Sequence, residues 1–78
     1  MNKERRKKLE IAIDKLGEAL ELLEECQAEE EEAAENISDY PLYASRLAEE
    51  LSQNAETISD ECFNLDSTIS TLQELLEI

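Results

Sequence analysis

No histidine occurs anywhere in the 78 residues. This removes the usual general base near neutral pH and the commonest transition-metal ligand. The side chains that remain able to do chemistry are two thiols, Cys26 and Cys62, and many carboxylates. Thirty-five residues separate the two cysteines, so they form no C-x-x-C redox or metal motif. Pairs at helical spacing, such as Glu21 with Glu25 and Glu29 with Glu32, could touch a divalent ion. A di-iron bundle, however, needs Glu-x-x-His, and an EF-hand needs a D-x-D-x-D-G loop. Neither is present. The single glycine, Gly17, cannot build a loop that cradles phosphate. We therefore expect no catalytic residue, no metal, no cofactor and no enzymatic activity.

The residue types do support a charged binding surface. Glu10, Asp14, Glu18, Glu21, Glu25, Glu32 and Glu35 recur along one side of a helical pattern, and members three or four apart place their Cβ atoms about 5 to 6 Å apart. That is of the order of the phosphate spacing along a nucleic-acid strand, so such a ridge could imitate DNA toward a basic groove. The plainer reading is the solvated face that any exposed helix needs. As partner contacts the pattern nominates Glu18, Glu21, Glu25, Glu29, Glu32 and Glu35.

The elements that must carry these groups are two long helices. Leu9, Ile13, Leu16, Leu20 and Leu23 alternate steps of four and three, which is one buried stripe. The same rhythm continues over Gln27, Glu30, Ala34 and Ile37, so the seam turns polar for two positions. A second track through Ala12, Ala19, Cys26 and Ala33 widens the stripe enough for a helix with two neighbours, as in a four-helix bundle. Gly17 falls on the outer side.

The second stripe reads Ala44, Leu47, Leu51, Ala55, Ile58, Cys62, Leu65, Ile69, Leu72 and Leu76. Its two successive steps of four before Ala55 predict a stutter. Between the stripes, NISDYP supplies capping residues Ser38 and Asp39, with Pro41 in a first-turn position. Tyr40, Leu42 and Tyr43 are expected to form a lid there. The reading is all-α: a helix over about 3–35, a turn over about 36–41 and a helix over about 42–77. Together they form a single antiparallel hairpin domain that dimerises into a four-helix bundle.

In that register Cys26 lies opposite about residue 54 and Cys62 opposite about residue 18, too far apart to bond within one chain. Glu30 is expected to pair with Arg46, and Asn54 to face Gln27. Ile11, Leu22 and Phe63 fall off the stripes. They either edge a dimer interface or form a separate apolar binding spot.

One Gly, one Pro and 36% charged residues suit long helices. The net charge of -14 is unevenly spread, since Lys3, Arg5, Arg6, Lys7 and Lys8 are five of the seven bases. Antiparallel packing would set them beside Glu74 and Glu77, as a clasp between the two ends. So negative a body repels nucleic acid and anionic membranes and attracts basic proteins. The expected partners are a second copy and a basic protein surface, with no direct nucleic-acid contact and no membrane. No secretory signal or apolar span is seen, and free thiols fit a cytoplasmic location.

The opening NKERRKKLEIAIDKLGEALELLEE, the Glu-rich run after it, the turn with NISDYPLYASR and the ending TLQELLEI together resemble a group of short acidic helical proteins. These are found in phages and mobile elements of low-GC Gram-positive bacteria, mostly without assigned function. The resemblance spans nearly the whole chain and carries no catalytic residues. It implies an inhibitor of host defence or of a nucleic-acid enzyme. The alternative from the residues themselves is an adaptor coiled coil that binds through apolar patches.

Overall fold

A computed structural model describes the backbone of residues 1–37 and 42–77, and all of their side chains except those of 42–45. Helix α1 runs Lys3–Ile37 and α2 runs Leu42–Leu76, 35 residues each. They pack as an antiparallel hairpin, a rod of 60 × 15 × 12 Å. A straight helix of that residue count spans about 52 Å, so the helices themselves set the length of the rod. The expected caps at Ser38, Asp39 and Pro41, the Tyr40, Leu42 and Tyr43 lid, and the place of Ala44 in the stripe lie outside the described residues.

Helix α1 starts where its orphan amides find a partner. Asn2 is the cap: its Oδ1 accepts from the Arg5 amide at 2.9 Å and its carbonyl from the Arg6 amide at 3.0 Å. This satisfies a donor of the first turn and offsets part of the cost of basic residues at a positive helix end. On α2, Thr68 and Thr71 return their hydroxyls to the carbonyls four residues back, each at 3.0 Å. Mediocre helix formers are thereby satisfied locally on the outer surface.

The seam follows the heptad more strictly than the stripe described above. The buried residues are Ile13, Ala34, Ala48, Ala55, Cys62 and Ile69, so on α2 Ala48 takes the position expected for Leu47, which is 47% exposed. From Ala48 through Leu51, Ala55, Ile58, Cys62, Leu65, Ile69 and Leu72 to Leu76, steps of three and four alternate without a break. The stutter is absent. Helical phase outranks side-chain size here: Ala48, which keeps the spacing, is buried, and the larger Leu47 beside it is not. With Ala34, Ala48 and Ala55 the helices can approach closely near the turn.

The register also differs from expectation by a few residues. The Arg6 guanidinium donates to the Leu76 carbonyl, and Asn54 Nδ2 donates to Glu30 Oε2 at 3.2 Å. These two pairs place Cys62 across from about Leu20 to Leu22 rather than residue 18. Glu30 is thus met by Asn54 and not through the expected Arg46 pairing. Gln27 reaches along its own helix to Glu31, Nε2 to Oε1 at 3.2 Å, instead of facing Asn54. The clasp between the ends reaches a carbonyl that has no partner further along α2.

Candidate protein-binding faces

The seam encloses little. Leu9, Leu16, Leu20, Leu23, Leu51, Ile58, Leu65 and Leu72 are only half-buried, and even Ala55, the most enclosed core residue, is 2% exposed. Total accessible surface is 6193 Å² for 8.9 kDa, whereas a compact monomer of that mass exposes about 4,800 Å². The physical reason is geometric. Two helices side by side cover each other along one line, and every large stripe residue keeps a flank open.

The two flanks of the rod are chemically different. One is marked by the Asn54 to Glu30 bond. On that side, next to the seam, α1 carries Ala12, Ala19, Cys26 and Ala33, with Leu22 one position further out. Helix α2 adds Leu47 and Leu75, exposed at 47% and 43%, at its two ends, with the polar Asn54, Glu61 and Thr68 between them, and Leu22 is 66% exposed. The other side is marked by an open depression of about 320 Å³ lined by Glu31, Ala34, Glu35, Ser52 and Ala55. There α1 presents Glu10, Asp14, Gly17, Glu21, Glu24, Glu31 and Glu35, and α2 presents Ser52, Ser59, Asp66 and Gln73. A flank that is apolar along α1 and at the two ends of α2 is thus opposed to an acidic one.

All six nominated carboxylates, Glu18, Glu21, Glu25, Glu29, Glu32 and Glu35, are exposed. Glu18, Glu25 and Glu32 follow the back of α1, and Glu21 and Glu35 lie toward the acidic flank. Glu29 turns the other way, to the border of the apolar flank. The apolar trio does not form one patch. Leu22 joins the alanine track, Ile11 (48% exposed) lies on the back of α1, and Phe63 (77% exposed) projects on the acidic side. Sequence reasoning missed Leu47 and Leu75 because it placed the first inside the stripe and left the second unassigned. Counting three residues back from Leu51 would have found Ala48 and released Leu47.

The thiols are free, Cys26 exposed and Cys62 buried. Burial pushes the Cys62 thiol up from its ordinary value, and the charges of Glu24 and Cys26 act in the same direction. Cys62 is therefore a neutral seam side chain at neutral pH, not an activated nucleophile. Among the described residues no buried polar atom is left without a hydrogen-bond partner, and no three His, Cys, Asp or Glu side chains converge on a metal position. A second depression, of about 420 Å³ at the start of α1, is lined by Lys3, Glu4, Arg6, Lys7 and Glu10. Among the described residues no helix is long and apolar enough to cross a membrane.

Compared with protein-family models, with curated proteins and with solved structures, the chain matches none.

Proposed function

We propose that this chain is a non-enzymatic, acidic protein-binding module that acts as a homodimer. Two hairpins pair through their open apolar flanks into a four-helix bundle, and the outward carboxylates occupy the basic, nucleic-acid-binding surface of a partner protein. The setting implied by the resemblance is a phage or mobile element in a bacterial cytoplasm, where the module inhibits a host protein. The observation that carries the reading is the exposure of Glu18, Glu21, Glu25, Glu32 and Glu35 on a rod of two packed helices, away from the flank that pairs; Glu29, the sixth nominated carboxylate, borders that flank. Carboxylates held on a helix keep their spacing, which a flexible acidic tail does not, and steer association with a basic groove over long range. The half-open seam supports self-association.

The test is capture of host proteins on the immobilised chain at low and moderate salt, followed by elution with duplex DNA. Nucleic-acid-binding proteins that DNA displaces, and that a Glu18→Gln, Glu21→Gln, Glu25→Gln variant no longer holds, support the acidic-face reading. A second reading, an adaptor that docks a partner through apolar side chains, is favoured by one observation: Phe63 is 77% exposed. A partner retained by the Gln variant at moderate salt and lost with Phe63→Ser would make the second reading the correct one.

A further inference from the structure

The hairpin brings charges together that lie far apart in the chain, and the result is strongly polar along the rod. Residues 1–17 and 62–78 hold six bases and six acids, whereas residues 18–61 hold one base and fifteen acids. Because Arg6 is bonded to Leu76, the first two segments share one end of the rod. That end is neutral in side-chain charge, and the turn-proximal half carries the whole of the -14. The same polarity runs along the apolar flank. Its bases, Arg5, Lys8 and Lys15, all sit toward the neutral end; of its acids, Glu29, Glu30 and Glu50 sit toward the turn and Glu61 sits at mid-rod, level with Leu22.

We propose that the partner on the apolar flank is a second copy running antiparallel to the first, with the two-fold axis close to Leu22. The inference rests on the self-association proposed above and adds its direction. Packed helices lie about 8 to 10 Å apart, within about one Debye length at physiological salt. A parallel pair would therefore hold two strongly negative halves against each other with little screening. The antiparallel pair sets each negative half against a neutral one. About an axis at Leu22, Lys15 of one copy approaches Glu29 of the partner subunit, and the 66% exposed Leu22 side chains meet each other. The two Glu61 carboxylates, level with Leu22, come together as a like-charge contact that the other pairs outweigh.

Area and shape agree with a full-length contact. A flank 60 Å long and 15 Å wide offers about 900 Å², and a stable interface takes about 800 Å² from each partner. Ala12, Ala19 and Ala33 allow the backbones to come close, as small residues do where helices pack tightly. A copy of the same chain is the occupant the charges favour, since its own bases match its own acids under a two-fold rotation, which is the condition for a closed, isologous pair. The carboxylates on the back of α1, Glu18, Glu25 and Glu32, then stay on the outside of the bundle.

The experiment is a spin-label distance. Asn36, exposed near the turn, is changed to Cys for labelling in a chain that also carries Cys26→Ala and Cys62→Ala, with mass read by light scattering on the same sample. Antiparallel pairing expects the two labels about 40 Å apart, and a separation under about 25 Å would mean a parallel dimer and overturn the direction alone. A monomer at every concentration would overturn the self-association itself. Charge reversal in the otherwise native chain supplies an independent readout that does not depend on the label. Lys15→Glu should weaken dimerisation about five- to tenfold through its two symmetric pairs, and Glu29→Lys in the same chain should restore it. Failure of the second change to rescue the first would remove the Lys15 to Glu29 contact and with it the antiparallel assignment.

Discussion

Asn54 of α2 donates from Nδ2 to Glu30 Oε2 of α1 at 3.2 Å, a bond across the seam between residues twenty-four apart in the chain. Glu30 occupies a heptad position where the rhythm calls for an aliphatic side chain, and it is half-buried there. A polar contact at a seam position specifies register at some cost in stability. Glu30→Leu should therefore raise unfolding free energy by about 1 kcal/mol, read from urea denaturation, while lowering the cooperativity of the transition as slipped registers gain population. A loss of stability would show instead that the bond outweighs the aliphatic contact.

Gly17 is in mid-helix on the acidic flank, and a Cβ built on it meets nothing within 4 Å. Gly17→Ala removes backbone freedom from the unfolded chain without a clash, so it should stabilise by about 1 kcal/mol. Thermal unfolding at a fixed protein concentration measures it. Destabilisation would mean that a second chain packs against this side, contrary to a dimer on the opposite flank.

Removal of the Asn2 cap has a local signature. Asn2→Ala should cost about 1 kcal/mol, concentrated in the first turn. Amide hydrogen exchange should quicken most at Arg5, whose amide loses the Asn2 Oδ1 acceptor, less at Arg6, whose bond is to the backbone carbonyl that alanine retains, and remain unchanged at Ile13 and beyond.

The tight part of the seam lies toward the turn, where Ala55 is 2% exposed. Ala55→Leu inserts three heavy atoms between closely spaced helices and should destabilise by about 1 to 3 kcal/mol. If it stabilises instead, the helices are further apart there than Ala34 and Ala48 allow.

The Cys62 thiol is held above its ordinary value of 9.0, first by burial and then by Glu24 and Cys26. A group whose folded pKa is raised adds stability that is fully present below the unfolded pKa and is lost as pH rises through the folded one. The urea midpoint should accordingly fall more steeply above about pH 9 in the native chain than in Cys62→Ala. At pH 8, iodoacetamide should modify Cys26 and leave Cys62 intact until the chain is unfolded. Equal rates at the two thiols would contradict the seam position of Cys62.

Much of the fold was legible locally. Apolar steps of three and four, a dense supply of helix formers and one break at NISDYP are sufficient for two helices folded back on each other, because helical periodicity depends only on neighbours a turn away. The acidic exposure of α1 followed from the same periodicity, since carboxylates at Glu18, Glu25 and Glu32 can only lie opposite the stripe.

Register was not legible, because sliding one helix along the other by a few residues exchanges one set of aliphatic contacts for another of nearly equal free energy. Small specific terms then decide: the Asn54 to Glu30 bond, the Arg6 to Leu76 bond and the room that Ala48 leaves. With the register come the features that only tertiary structure settles. Leu47 turns outward, Cys62 is enclosed in the seam, and the end of α2 is laid against the basic start of α1. That last juxtaposition neutralises one end of the rod and leaves the other strongly negative, a property of where the helices meet and not of either helix alone.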